Sequence, residues 1–460
     1  MTPLEAARGP CAGHDPPDPE SEWLVKSGKP NGANPGFVVS VDGARYVIKP
    51  DQPLQGPRPS AADVIGSRVY HAAGYFVPCN RVVYLWRSKL HIDPKATVQN
   101  DQGTERPMAE SDLDTIFRGS LRLRDGRYRA VASLYLEGKP LGPWRYQDVR
   151  DDDPNDVIAH QDRRELRGMR VLASWINHFD SREQNTLAMW IEGDGGLGTV
   201  RHDLVDFGEA LGSLWVPPTL ARRLGHSYYL DFDDIAEDWV TFGTIRRPWD
   251  AGTFGPSQAV FGYFDVARFQ PEDWKPGYPN PAFGRMQEHD AAWMARIIAQ
   301  FSDDHVRALV QTADLRDPLL ESELFRILVG RRNRILSRYL GRLSPLTFPE
   351  LRHGAQGAQL CMEDLLVTTG LARTQQRRYV LRQWRPPRTA PQNLGTVAAH
   401  SDGEVCATLP PLPVESTRRA YTMVDFIAHT AGSRQQPPAR VHLDEDRGRY
   451  RIIGLERLEP

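Results

Sequence analysis

The chain lacks an excess of charge of either sign. Lys and Arg number 57 against 59 Asp and Glu, a formal net charge of −2 with His neutral. No global field therefore draws it to nucleic acid or to an anionic membrane. It also lacks long hydrophobic runs: Ala259 to Tyr263 is typical before Asp265 interrupts, far short of the roughly 18 apolar residues of a membrane helix. Cysteine is scarce. Cys11, Cys79, Cys361 and Cys406 lie far apart with no Cys-x-x-Cys pair, a spacing that suggests neither a zinc site nor a disulfide framework and reads as four buried or idle thiols. Met1 to Glu22 lacks the apolar stretch of a signal peptide, which makes the cytoplasm the default location. Cys11 follows Arg-Gly-Pro, a poor lipoprotein cleavage site, and a start further upstream is the remaining route to export.

What is present is ordinary for a folded protein. The 460 residues, 40% hydrophobic and 25% charged, are enough for a sizeable core without staples, at about three domain-sized units of ~150 residues. Residues 1–20 read as a flexible arm, because Pro10, Pro16, Pro17 and Pro19 oppose a helix. From Trp23, three β-branched and aromatic runs ending at Lys49, with the Asp42-Gly43 turn signal between the last two, predict an antiparallel meander. Ser60 predicts the N-cap of a helix running to Ala73. Residues 87–120 read as an insertion, and Leu121–Leu136 as a hairpin about Asp125-Gly126. A helix is predicted over 161–177 and others near 287–301, 303–312 and 319–341. Beyond Pro345 short strands follow, including 378–384, 420–429 and 450–455. The Arg331-Arg332-Asn-Arg334 cluster reads as a solvated basic face in preference to a nucleic-acid site.

Two pieces carry chemistry: His178-Phe-Asp180-Ser-Arg-Glu-Gln-Asn185, and Asp206-Phe207-Gly208. Preceded by a strand-borne lysine, Lys49 in Tyr-Val-Ile-Lys, and by a helix with the acid Asp63 in its first turn, they form an ordered set. This set resembles the protein-kinase-like superfamily. The phrase Asp206-Phe-Gly-Glu-Ala-Leu-Gly212 is similar to the activation-segment start of phosphatidylinositol kinases, and the layout resembles atypical bacterial and secretory-pathway kinases. The resemblance covers about residues 22–345.

Phosphoryl transfer asks a protein to position ATP, offset phosphate charge and place a carboxylate near the attacking hydroxyl. The resemblance implies that Asp206 and Asn185 hold Mg²⁺, that Asp180 orients or deprotonates the acceptor hydroxyl, and that Lys49 contacts the α- and β-phosphates. Asp63 is either the ion-pair partner of Lys49, one methylene shorter than the usual Glu, or a complement to the helix dipole. Glu137, in the Leu134-Tyr-Leu-Glu137-Gly138 crossing, either binds ribose or faces water. Gly28, Gly32 and Gly36 form either a phosphate-covering loop or a plain surface turn, since Pro30 and Pro35 remove two donors. Phe179 stands where an arginine is common, so control through an activation-loop phosphate lacks its partner. His178 and His202 read as structural.

The implied architecture is α+β: a flexible arm (1–20), a β-rich N-lobe (21–136) and a mainly helical C-lobe (137–345) of a two-lobed protein-kinase-like fold, then a small β-sandwich-like domain (346–460). The implied activity is Mg-ATP-dependent phosphotransfer to a hydroxyl of a protein, glycan or lipid head group, with no nucleic acid as partner. The aromatic-rich Trp215–Phe283 segment is where an acceptor site is expected. Nucleotidyl transfer on the same scaffold, and a pseudokinase acting as a nucleotide-responsive binding module, are the alternatives.

Overall fold

The computed structural model describes residues 1–29, 35–99, 104–212, 221–247, 249–250, 258–354, 357–386, 390–411, 420–429, 436–446 and 449–459. The chain is a mixed α+β structure with several sheets. It divides into two compact units, residues 1–286 with 303–331, and residues 287–302 with 332–460.

The first unit opens on a helix where an arm was expected. Helix α1 (Pro3–Arg8) starts with a capping box in which Glu5 N–H donates to Thr2 Oγ1 at 3.2 Å and Thr2 N–H to Glu5 Oε2 at 2.6 Å. Pro3 sits at its first turn, where a missing N–H costs nothing, and the other prolines lie beyond its end. The predicted meander is β1 (Trp23–Lys29), β2 (Gly36–Val41) and β3 (Ala44–Pro50), paired antiparallel in that order. Alternation along β3 buries Tyr46 and Ile48 on one face and turns Val47 and Lys49 to the other.

Helix α2 (Arg58–Ala72) begins two residues before Ser60, which is therefore not its N-cap. Asp51, in the loop after β3, caps the first turn instead: its two oxygens accept from Ser60 N–H at 2.9 Å and Ser60 Oγ–H at 2.7 Å. Twelve of the fifteen residues of α2 are buried, so this helix is enclosed nearly all round.

The described residues of 87–120 contribute strands and a helix to the first unit and side chains to its core, where an insertion was expected. They form β5 (Leu90–Gln99), β6 (Glu105–Pro107) and α3 (Glu110–Arg118), after β4 (Asn80–Leu85). Leu113, Ile116 and Phe117 pack into one cluster with Phe37, Val39 and Ile48. Strand β7 (Tyr128–Leu134) completes a seven-stranded sheet in the order β4-β7-β3-β2-β1-β5-β6. The hairpin expected over 121–136 reduces to a tight turn with a single bridge between Arg122 and Tyr128. A three-stranded sheet follows, β10-β9-β8, from β8 (Lys139–Gly142), β9 (Thr186–Glu192) and β10 (Gly198–Leu204).

Helix α4 (Arg164–Ile176) lies within the predicted span and ends on Asn177, whose φ of 53° gives the left-handed turn that closes a helix. Its last carbonyls explain the arginine cluster. Arg331 is buried, donating to the carbonyls of Trp175 at 2.8 Å and Ser174 at 2.5 Å, and lies 3.6 Å over the Phe269 ring centre. Arg332 is buried as well, so the basic face is not solvated. Helix α5 (Phe232–Val240) follows, then α6 (Glu288–Ile298), α7 (Asp303–Gln311) and α8 (Pro318–Leu340).

In the second unit, β11 (Leu346–Gly354), β12 (Gly357–Asp364) and β15 (Glu404–Leu409) form one sheet. Strands β13 (Arg378–Trp384), β14 (Gln392–Ala398), β16 (Ala420–His429), β17 (Ala439–Asp446) and β18 (Arg449–Arg457) form another, in the order β14-β13-β16-β17-β18. Side chains of both sheets, among them Leu360, Val405, Leu381 and Val441, share a single core. The division between units differs from a cut at Pro345. Helix α6 and the end of α8 belong to the second unit, where Arg338 pairs with Glu288 at 2.9 Å and Arg332 donates to the Phe301 carbonyl at 2.7 Å.

The cysteines are neither idle nor free. Cys11 is bonded to Cys79 and Cys361 to Cys406, closing spans of 68 and 45 residues. The second bond joins register partners on β12 and β15. Sequence spacing conceals both pairs because the fold alone brings their ends together. The denatured chain should take up no thiol-alkylating reagent without reductant and four equivalents after reduction, read by intact mass. Full alkylation without reductant would contradict the pairing.

Candidate functional site

A cavity of about 320 Å³ opens in the first unit, lined by Val47 and Lys49 of β3, Asp63 of α2, Val131 and Ser133 of β7, Leu187 and Met189 of β9, and Asp206. Its walls are largely aliphatic and its charges gather at one end. Lys49 Nζ lies 2.8 Å from Asp206 Oδ1 and 3.9 Å from Asp63 Oδ2. Asp206 is thus the main partner of Lys49, and Asp63 stands at the limit of an ion pair. The other Asp63 oxygen accepts the Phe207 N–H at 2.7 Å, which ties α2 to the Asp-Phe-Gly turn. Asp63 thus makes a long ion pair with Lys49 and, with its other oxygen, also holds the backbone of the turn.

Desolvation acts on all three groups, and their mutual charges decide the outcome. Burial alone would depress the Lys49 ammonium, but Asp206 and Asp63 outweigh it and hold its pKa above the usual lysine range. Burial, with repulsion from Asp206, pushes Asp63 up to about 6 despite Lys49. Asp206, which burial would raise, is held below the usual carboxylate range by the charge and hydrogen bond of Lys49. The side chain of Lys49 keeps 24% of its surface exposed and that of Asp206 34%, so water screens this pair and it is worth less than a dry one.

Asp180 and Asn185 form a second cluster. Asn185 Nδ2 donates to the Asp180 carbonyl at 2.9 Å and to Asp180 Oδ2 at 2.8 Å. This turns the amide nitrogen toward Asp180 and leaves the amide oxygen as the end that could take a metal ion. Arg182 Nε pairs with Asp180 Oδ1 at 3.0 Å. Burial raises Asp180 to about 6, opposed by Arg182 and Asn185 and reinforced by the negative charges of Asp206 and Glu209. These clusters sense each other through that repulsion. A carboxylate on Asp206 and an amide oxygen on Asn185 are hard oxygen donors of the kind Mg²⁺ takes, so the residues present fit the ion.

The Asp-Phe-Gly turn is held from several sides. Asp206 adopts a left-handed backbone with φ 62°, which aspartate tolerates better than most residues. Phe207 is fully buried, its ring centre 5.1 Å from Tyr70 and 5.2 Å from His178. Tyr70 Oη lies 3.0 Å from His178 Nδ1, in keeping with a structural histidine. Arg58 of α2, with no exposed surface, donates to the carbonyls of Gly208 and Ala210, each at 2.8 Å.

Lys49, Asp63 and Asp206 are therefore brought together, and Asp180 and Asn185 are hydrogen-bonded to one another. Glu137 is exposed and is not among the cavity-lining residues, although its neighbours Leu136 and Gly138 are. Gly32, with Pro30, lies outside the described residues. Gly36 has a packing role of its own, since a Cβ there would meet the Ile48 carbonyl oxygen at 2.7 Å. Sequence reasoning missed Arg58, Glu209 and Arg182. Only Glu209, directly after Asp-Phe-Gly, carried a positional signal.

No protein-family model and no curated protein matches the chain. Among solved structures it is similar to the Helicobacter pylori proinflammatory kinase CtkA, at 10% identity over 68% of this chain and 93% of that one, with a TM-score of 0.33. It is similar too to the Golgi casein kinase with Mn/ADP bound, at 10% identity over 70% and 72% of the two chains and a TM-score of 0.30. A second structure of the Golgi casein kinase aligns at 11% identity over 71% and 74%, with a TM-score of 0.31.

Close approach of α2 to the turn is testable at Gly66, where a Cβ would meet Phe207 Cβ at 2.5 Å and Cγ at 2.7 Å. Gly66→Ala should destabilise the protein by ~1–3 kcal/mol through overpacking, in spite of the better helix propensity of alanine. Urea unfolding checks this; unchanged or higher stability would contradict the packing.

Proposed function

We propose that the chain is an Mg-ATP-dependent phosphotransferase of the atypical kinase type, with a two-lobed kinase-like catalytic region and a β-sandwich-like accessory module, acting on a hydroxyl group. The observation that carries the reading is the meeting of Lys49 with Asp206 at 2.8 Å at the charged end of an otherwise aliphatic cavity.

Under this reading the aliphatic walls from Val47, Leu187 and Met189 take the flat, apolar base, and the charged end takes the phosphates. Lys49 leaves part of its contact with Asp206 to offset phosphate charge, and Asp206 and Asn185 supply oxygens for Mg²⁺. That ion, when bound, neutralises charge on the transferred group. Asp180 acts on the acceptor: with a pKa of about 6 it is ionised at neutral pH yet basic enough to accept a hydroxyl proton as the oxygen attacks. Asn185 keeps the Asp180 carboxylate turned for that task.

The two disulfides further suggest an oxidising compartment, in place of the cytoplasmic default. No helix among the described residues is long and apolar enough to cross a membrane.

Asp206→Asn should abolish thermal protection by Mg-ATP, which for wild type at ~100 times its dissociation constant amounts to ~2.7 kcal/mol. Asp180→Asn should keep that protection and lower transfer by ~10²–10⁴-fold. Thermal melts and mass analysis of acceptor panels read the two effects, a gain of AMP in place of phosphate marking nucleotidyl transfer. Wild type without Mg-ATP protection at millimolar ligand would overturn the reading, and protection with no transfer to any acceptor would favour the pseudokinase.

A further inference from the structure

The cavity has a second polar corner, away from its charged end. Asn80, at the start of β4, lines it together with Ser133 of β7 and Val47 of β3. These three are register partners on adjacent strands, Val47 opposite Ser133 and Ser133 opposite Asn80, so they stand in one row on one face of the sheet. Two residues along, the neighbouring row of that face holds Lys49 opposite Val131. With the base on Val47 and the phosphates at Lys49, the row from Val47 runs sideways, at ~4.8 Å per strand, past Ser133 to Asn80.

The Asn80 side chain is fixed in orientation and incompletely paired. It is buried, and its Nδ2 donates to the Asp63 backbone carbonyl at 3.1 Å. Exchanging the two ends of the amide would set its oxygen against that carbonyl oxygen, so the bond identifies Oδ1 as the other end. Oδ1 has no hydrogen-bond partner among the described residues. The backbone beside it is satisfied: the Asn80 carbonyl accepts from Arg68 Nη1 at 2.8 Å, and the Cys79 carbonyl from Leu134 N–H at 2.9 Å. Buried acceptors are seldom left unpaired, because giving up water without gaining a donor is costly. A residue in this state on a cavity wall is matched to a ligand that brings the donor.

The row identifies that donor. A base resting on Val47 presents an edge to Ser133, whose small side chain leaves the way to Asn80 open. The group on that edge must carry N–H. Adenine has an exocyclic amino group at C6; hypoxanthine and guanine have a carbonyl oxygen there, which would face Oδ1 acceptor to acceptor and leave both unpaired. We propose that Asn80 determines base specificity, its Oδ1 accepting a hydrogen bond from the 6-amino group of adenine and turning away 6-oxopurines. This names the base that the site selects and rests on the phosphotransferase reading.

The test is calorimetric titration of the full chain, with Mg²⁺, by ATP and by inosine triphosphate, which share ribose and triphosphate and differ in the base. Wild type should bind ATP at least ~10-fold more tightly. Purine riboside triphosphate, with hydrogen at C6, should bind with an affinity nearer that of inosine triphosphate than that of ATP. Asn80→Leu, close in size, should shrink the ATP preference at least ~5-fold through weaker ATP binding. A merely structural role for Asn80 would weaken both nucleotides alike and leave their ratio at the wild-type value. Asn80→Ala, which removes the same oxygen without adding bulk, carries the same criterion where the leucine variant does not fold. Equal affinity of wild type for ATP and inosine triphosphate, the result expected if Oδ1 merely holds a water, would overturn the assignment, as would an ATP preference that survives loss of the Asn80 amide. Either of these results leaves the phosphotransferase reading standing. Binding of no nucleotide at all to wild type would overturn both.

Discussion

One buried helix holding one tight turn is the constraint on which the site depends. Helix α2 meets the backbone of residues 207–210 through Asp63, which accepts the Phe207 N–H, and through Arg58, which donates to the carbonyls of Gly208 and Ala210. A guanidinium with no exposed surface is expensive to desolvate, and burial lowers the pKa of Arg58 accordingly, with the nearby carboxylates of Glu209, Asp51 and Asp63 opposing that shift. Its carbonyl partners and the Gln55 side chain offset the cost. The same helix is capped by Asp51, which also pairs with the buried Arg129 of β7 at 2.8 Å, so the sheet, the helix and the turn are linked by charged hydrogen bonds out of water.

Electrostatics in the cavity follow from this arrangement. The negative charges of Asp206 and Glu209 bear on both Asp63 and Asp180, and Lys49 Nζ lies 2.8 Å from Asp206 and 3.9 Å from Asp63. Fixed negative charge of this density is unfavourable by itself and becomes favourable around a divalent cation and an ammonium. Burial pushes Asp63 and Asp180 toward neutrality while Lys49 keeps Asp206 ionised, so the surroundings set three chemically identical side chains apart in their ionisation.

Much of the local structure was legible in the sequence, for physical reasons that particular elements show. Strands β2 and β3 were readable from β-branched runs flanking Asp-Gly, and the strands over 378–384 and 420–429 from composition between turn residues. Helix α1 was missed: the density of later prolines drew the reading of a flexible arm and hid the capping box of Thr2 and Glu5. The coming together of Lys49, Asp63 and Asp206 was foreshadowed by motif order; the allocation of Asp63 to the Phe207 backbone was not, since one-letter patterns do not say which oxygen meets which donor. Long-range pairings were hidden altogether. The disulfides, the burial of Arg331 against the end of α4, and the outward apolar face of α5 are all decided by what tertiary structure brings near.

The measurement closest to the central claim is an experimental structure of the full chain with Mg²⁺ and a non-hydrolysable ATP analogue. The account predicts the base against Val47, Leu187 and Met189, phosphate oxygens within hydrogen-bond distance of Lys49 Nζ, and Mg²⁺ on oxygens of Asp206 and Asn185. An analogue bound elsewhere, or a nucleotide in this cavity whose phosphates point away from Lys49 and Asp206, would contradict it.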